Sequence, residues 1–332
     1  MHISIFIPTG NRADSLKIVL DSLVEQTYQD FDIIIVDYKS TDNTPQIIDS
    51  FKDKLKITVL NQVEKGLARA ANMALEKATG EIFIRTDDDV KMSPGWLQAI
   101  HETFADPQAG GVTGPTVIPD DYKQNRDLFV FENAFKTGNL FWKTIGYIYF
   151  NYFMEGNPRK VSYWFDSGAF GIGSNFEEAT KEPIHEITNL EACNFSVRTE
   201  LLRKVNGFDT VYSGVGEYHE ADAAFKIKEL GYKLMFNPKA YLNLRPSQDG
   251  FYNDRPESYS RMINFITFYL RHIKVDSGRK FLRFSSYILF LDGYYLYQFI
   301  KTRQTSQLGA LPATMVGPII YFVDSRLRGS GK

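Results

Sequence analysis

IFIRTDDDVKMSPGW, residues 82–96, sets three carboxylates, Asp87, Asp88 and Asp89, directly after an apolar, β-branched run. The run reads as a buried strand, which places the acids at its carboxyl end. Like charges about 4 Å apart repel by roughly 4 kcal/mol at an effective dielectric near 20, so the cluster is costly unless something answers it. Along an extended backbone Asp87 and Asp89 share one face and Asp88 takes the other. Two same-face carboxylates suit Mg²⁺ or Mn²⁺, hard cations that fill the rest of their shell with water and substrate phosphates. The competing reading is an acidic turn ahead of a helix starting near Pro94 and Gly95, because acids favour a helix N-terminus.

Upstream, strand-length apolar runs recur at 3–7, 33–36 and 57–60, and with 82–84 their Ile and Val content suits a parallel sheet covered on both faces. Helical patterns separate them. Leu16, Val19, Leu20 and Leu23 repeat at helix spacing, with Asn11 where an N-cap belongs. A second helix is expected from Pro45, and a third, GLARAANMALEKATG at 66–80, ends at Gly80 placed like a residue just past a helix. Alternating strand and helix means an open α/β sheet whose ligands sit beyond the carboxyl ends of the strands. Asp37 and Asp87 each follow such a strand and so belong to one crevice.

The 332 residues are 43% apolar and 14% aromatic, a composition that folds. Thirty-eight basic and forty acidic side chains give a net charge of −2 without a long basic block, which argues against a nucleic-acid partner. One cysteine, Cys193, excludes an internal disulfide and fits a reducing compartment; it reads as packing. The opening HISIFIP lacks the pattern of a signal peptide, so a cytoplasmic location is expected. Four regions are expected: 1–120 and 191–254 as the two halves of one sheet domain, 121–190 as an aromatic-rich insertion, and 255–332 as a helical extension. Aromatics of the insertion, among them Trp142, Tyr147, Tyr149, Tyr152, Tyr163 and Trp164, suit either stacking on sugar or lipid or an extension of the core.

In the extension, residues 281–300 are almost all apolar or aromatic, interrupted by Arg283 and Asp292. The next apolar stretch carries Pro312 and Pro318, so neither makes an uninterrupted span of the roughly 20 residues that a bilayer requires. An in-plane membrane helix, with Lys280, Arg283, Lys301 and Arg303 toward lipid phosphates, competes with a helix packed on the fold or on a second subunit. His2, His101, His185 and His272 lack ligand spacing.

Taken in order, IFIPTGNRADSLKIVLDSLVEQTYQDFDIIIVDYKSTDNT, GLARAANMALEKATGEIFIRTDDD, ACNFSVRTELLRKVNGFD and YHEADAAFKIKELGYKL resemble the motifs of the family 2 glycosyltransferases, over roughly residues 2–245. The resemblance implies a GT-A fold, an open, mostly parallel Rossmann-like sheet with helices on both faces. It also implies inverting transfer from a nucleoside diphosphate sugar, UDP being the expected nucleotide, to a glycan or lipid-linked acceptor. By the same resemblance Pro8, Thr9 and Arg12 line the donor pocket, Asp37 binds the base, the Asn-bearing helix falls on Asn72, and the DxD motif on Asp87 and Asp89. A metal on Asp89, with Asp87 beside it or on the ribose, would stabilise charge on the departing diphosphate. Asp88, on the other face, anchors the turn at the edge of the donor site.

The family sets its general base in an acidic pair at a helix start. Alignment back from Gly231 puts His219 and Glu220 there, so Glu220 is the expected base, with Glu217 and Asp222 as rivals. Asp222 also suits a plain i, i+4 pair with Lys226. Many relatives complete the metal shell with a histidine after the last core strand. NPKAYLNLRPSQDGFYNDR has none, leaving Asn243, water, or Arg245 against the diphosphate. A sugar nucleotidyltransferase and a degenerate sugar-nucleotide binding module are the alternatives; a P-loop enzyme is excluded because GxxxxGK[ST] is missing.

Overall fold

The computed structural model describes residues 1–119, 127–212, 214, 217–245 and 258–329. Strands β1 (Ile3–Thr9), β2 (Phe31–Asp37), β3 (Ile57–Asn61) and β4 (Ile82–Thr86) pair in parallel and are connected through α1 (Ala13–Val24), α2 (Thr44–Phe51) and α3 (Leu67–Lys77). Then follow β5 (Val90–Met92), α4 (Trp96–Thr103), β6 (Ala109–Thr113), β7 (Thr116–Val117), α5 (Asp127–Thr137), α6 (Leu140–Tyr147), β8 (Tyr163–Trp164) and β9 (Phe170–Gly171). The later elements are β10 (His185–Ile187), β11 (Asn194–Arg198), α7 (Thr199–Lys204), α8 (His219–Glu229), β12 (Lys233–Phe236), β13 (Leu242–Leu244), α9 (Ser258–Phe268), α10 (Gly278–Thr302) and α11 (Ala310–Gly329).

The main sheet has eight strands in the order β10-β12-β6-β11-β4-β1-β2-β3. β11 is antiparallel to both β4 and β6, so the parallel run is broken next to the acidic loop. A smaller sheet, β5-β13-β7, closes over that loop. Alternation sends Ile3, Ile5, Ile7, Ile33, Ile35, Ile82 and Ile84 to one face, against Leu16, Val19, Leu20, Leu23 and Trp96. Phe6, Ile34, Val36 and Phe83 point to the other, against the alanines of α3 and Ala223, Ala224 and Ile227 of α8. Each such side chain contributes about 1.5–3 kcal/mol on burial, so a sheet covered on both faces follows from runs of Ile, Val and Phe.

Three details differ from the sequence expectation. β3 is the outer strand, and its residues are half-buried to exposed, so its apolar character marks an edge and not a buried centre. Asn11 does not cap α1. It sits at φ +55° and its Oδ1 accepts from the backbone N–H of Thr41 (2.7 Å), while Asp42 and Thr44 accept from the N–H groups of Ala13 and Arg12. The loop after β2 thus caps the helix after β1. Gly80 is needed for close approach: a Cβ there would stand 2.5 Å from the Ser4 backbone nitrogen.

The insertion is more helical than its sequence suggests, because aromatics on every side leave no apolar stripe to count. Phe131, Tyr149, Phe153 and Phe165 share a core with Phe265, Tyr269, Phe284 and Tyr287 of the extension, and Trp142 meets Tyr297 edge-on at 5.0 Å. The core-extension reading therefore holds for most of these aromatics. Arg283, expected to face lipid phosphates, pairs instead with Glu155 and lies 5.4 Å from the Tyr152 ring. Thr305–Val323, which its prolines argued against, reaches the length and mean hydropathy (1.3) of a membrane span, and 17% of it is buried.

Gly80→Ala should destabilise the protein by about 1–3 kcal/mol, as overpacking against a backbone does. Urea unfolding should show a lower midpoint with an unchanged slope.

Candidate active site

Three strand ends define the site. Thr9 and Asp37 are paired across β1 and β2, and β4 ends beside them at Thr86. Asp37 is buried and accepts from the Ser40 backbone N–H (3.3 Å) and hydroxyl (2.5 Å), so the turn after β2 folds onto its carboxylate. Pro8 and Thr9 precede the turn into α1, which delivers Arg12.

The three acids after β4 meet different partners. Asp88 accepts from the Thr9 hydroxyl (2.8 Å) and from Arg12 Nη1 (3.3 Å). Asp89 lies 3.5 Å from the same Arg12 nitrogen. Asp87, the most exposed of the three, pairs with Arg85 Nη2 at 2.7 Å. Burial pushes Asp88 up to about 6 despite Arg12 and Thr9. Asp89 is pushed up to about 7 by burial and then by the charges of Asp87 and Asp88.

Arg85 was not singled out from sequence. It is 3% exposed, inside β4, and its Nε is 3.4 Å from Glu220 Oε1. Burial alone would lower its pKa, yet Asp87 and Glu220 raise it on balance. The available signal was an arginine between Ile84 and Thr86 within a strand otherwise fit for burial. Glu220 is the second residue of α8, 4% exposed, with Oε2 3.0 Å from His219 Nδ1. The residue before that helix, Tyr218, is held at φ +79°, a costly conformation for a non-glycine residue.

The rival acids are engaged elsewhere. Glu217 accepts from Arg261 Nε at 2.8 Å. Asp222 is fully buried among Lys226 (2.5 Å), Arg271 (2.7 Å), His272 (2.8 Å) and the Tyr212 hydroxyl (2.9 Å). Its pKa is depressed, burial being outweighed by the His272 hydrogen bond and the nearby cations. Asn72 uses its amide on the Phe208 backbone, donating at 2.8 Å and accepting at 2.9 Å. Arg245 donates its backbone N–H to the Asp89 carbonyl at 2.6 Å, and its exposed side chain borders a groove with Asp21, Glu25, Lys54 and Lys91. Cys193 lies near Asp87, and burial followed by that charge holds its thiol protonated.

Four carboxylates (Asp87, Asp88, Asp89 and Glu220) thus meet two guanidiniums, Arg12 and Arg85. The excess charge and the oxygen-only donor set fit Mg²⁺ or Mn²⁺ on Asp89 and Asp87, completed by phosphate and water. Among the described residues no group of three or more His, Cys, Asp or Glu side chains is arranged to hold a metal ion. Of NPKAYLNLRPSQDGFYNDR, residues 237–255, only 237–245 lie among the described residues.

Residues 4–163 match the family model described as Glycosyl transferase family 2. The glucosyl-dolichyl phosphate glucuronosyltransferase of Haloferax volcanii is 22% identical over 251 residues, which are 73% of this chain and 69% of that protein. Other curated relatives are matched over 35% to 58% of their length. Staphylococcus aureus TarS in complex with UDP-GlcNAc superposes with a TM-score of 0.61 at 17% identity, covering 96% of this chain and 81% of that one. The mannosyltransferase PcManGT from Pyrobaculum calidifontis, in complex with GDP-Man and Mn²⁺, gives 0.57 at 18% identity, with 95% and 86% covered. At this identity the two structures show a shared fold, the GT-A arrangement.

A carboxyl with a raised folded-state pKa binds its proton more tightly in the folded state. The stability it contributes is complete below the ordinary value of 3.8 and is lost as pH rises through about 6 for Asp88 and about 7 for Asp89. Without divalent cations the protein should therefore lose about 1.4 kcal/mol per pH unit for each of the two carboxyls, several kcal/mol in all, between about pH 4 and about pH 7. Asp89→Asn should flatten that slope in urea titrations carried out with a chelator.

Proposed function

We propose that this chain, a member of glycosyl transferase family 2 through residues 4–163, moves a hexosyl group from a UDP-sugar to a hydroxyl of a glycan or lipid-linked acceptor, inverting the anomeric centre. The observation that carries the reading is the meeting, at the strand ends, of a donor-side carboxylate cluster with a separate carboxylate, Glu220, from the far end of the sheet domain. UDP-GlcNAc in TarS supports the choice of nucleotide, and the glucosyl-dolichyl phosphate of the Haloferax enzyme supports a lipid-linked acceptor.

In this reading Pro8, Thr9, Arg12 and Asp37 form the nucleotide pocket, Asn72 fixes the helix below it, and Asp88 ties Thr9 and Arg12 together. Asp89 and Asp87 would hold a divalent cation, which would supply charge stabilisation to the diphosphate, in keeping with Mn²⁺ in PcManGT. Arg12 adds positive charge on that side, whereas the Arg245 side chain borders the groove with Asp21 and Glu25. Glu220 takes the acceptor proton as the hydroxyl oxygen bonds to the anomeric carbon. The bond to the phosphate oxygen breaks on the opposite face, and its electron pair leaves with UDP.

The protein also docks peripherally on the cytoplasmic face of a membrane. Leu140 and Phe141 of α6, Phe281, Leu282 and Leu289 of α10, and Met315, Ile319 and Phe322 of α11 are each at least 60% exposed, with Lys301 and Arg303 exposed at the end of α10. That much exposed apolar surface marks an interaction face, and aromatic side chains with flanking cations suit a lipid interface.

Glu220→Gln should lower kcat about 10²- to 10⁴-fold while leaving donor binding unchanged, measured as UDP release from a panel of UDP-sugars. Binding without turnover in the wild-type protein would favour the degenerate module, and pyrophosphate exchange the nucleotidyltransferase. Replacing Leu282 and Leu289 by Asp should release the protein from anionic vesicles in flotation; equal flotation would remove the membrane reading.

A further inference from the structure

We infer that Arg85 is a positioning residue that locks the Glu220 carboxylate to the diphosphate side of the site. Arginine is rarely this deeply buried unless its charge is answered, and the cost of desolvating it is large. Here it is answered twice. Nη2 meets Asp87 at 2.7 Å, and Nε lies 3.4 Å from Glu220. The guanidinium is planar and rigid, so fixing one edge on Asp87 fixes where the other can draw a carboxylate.

The two contacts differ in kind. Nη2 to Asp87 has the length of a short charge-assisted hydrogen bond, whereas Nε lacks hydrogen-bond alignment with any described acceptor. Arg85 therefore attracts and orients Glu220 by charge without donating into the lone pair that receives the acceptor proton. A carboxylate saturated by strong donors would be a poor proton acceptor. Asp222 differs in this: its Oδ1 alone accepts from Arg271, from His272 and from the Tyr212 hydroxyl, with Lys226 beside Oδ2.

Glu220 also arrives on α8, far along the chain from β4, and from the segment containing the strained Tyr218. Packing on the sheet and the ties to the extension place the helix, and His219 Nδ1 lies 3.0 Å from one Glu220 oxygen. The Arg85 fork acts on the other oxygen and joins it to Asp87.

This inference rests on Glu220 being the base, and a double-mutant cycle separates the two. The variants are R85Q, R85K, E220Q and R85Q/E220Q, each checked for folding by circular dichroism. Turnover is read as UDP release from UDP-glucose or UDP-GlcNAc, whichever the wild-type protein consumes, and binding as calorimetry with UDP and Mn²⁺. R85Q should lower kcat by about 30-fold or more while UDP affinity stays within about threefold, and R85K should recover part of the loss. In the E220Q background R85Q should cost less than about threefold, because the group it positions is gone. Equal penalties in both backgrounds, or a loss confined to UDP and Mn²⁺ affinity, would overturn the inference and leave Arg85 serving Asp87 alone. E220Q turning over near the wild-type rate would remove the base itself and this inference with it, an outcome visible in the single variant. If R85Q does not fold, R85K and R85K/E220Q carry the same cycle.

Discussion

Asp87, Asp88 and Asp89 leave β4 in consecutive positions, with Asp88 buried and Asp89 nearly so, and water screens their repulsion poorly. The surrounding structure is arranged around that charge. β1 supplies the Thr9 hydroxyl, the turn into α1 supplies Arg12, and β4 supplies Arg85 from within its own strand. Arg12 reaches its position because the loop after β2 caps α1, with Asp42 and Thr44 taking the first N–H groups of the helix. Two guanidiniums answer four carboxylates, Glu220 included, and leave a residual negative charge at the strand ends.

Much of the fold was legible because it depends on local pattern. Runs of Ile and Val forecast β1, β2 and β4, and the helix repeat forecast α1 and α3. What escaped was settled between distant segments. The antiparallel β11 wedged between β4 and β6 is a pairing choice that no single stretch encodes. Asn11 looked like a cap because its residue type favours caps, yet the Asp42 and Thr44 acceptors from another loop took that task and left Asn11 to hold the loop. Gly80 resembled a helix terminator when its real constraint is the Ser4 backbone lying against it.

The site shows the same division. Three adjacent acids at a strand end are visible in one line of sequence, whereas the start of α8 was placed only through the family resemblance, by alignment back from Gly231. Arg85 was hidden for a physical reason. Hydropathy counts an arginine in a strand as an interruption, and only the folded arrangement reveals carboxylates on both of its edges. The aromatic insertion gave no period because its rings pack in several directions at once, around Tyr149, Phe153 and Phe290.

Asp222 joins α8 to the extension through Arg271 and His272, and Glu217 does so through Arg261. A buried ion cluster that loses one partner strands the others, at a cost of about 3–5 kcal/mol. The helix carrying Glu220 is therefore braced from the C-terminal side, and the extension is no detachable appendage: α9, which leads into the bracing Arg271 and His272, packs along α11 and shares one aromatic core with α10 and the insertion. A chain cut before Ser258 would lose the brace, and exchange of the last two helices alone would open the core that holds α9 in place.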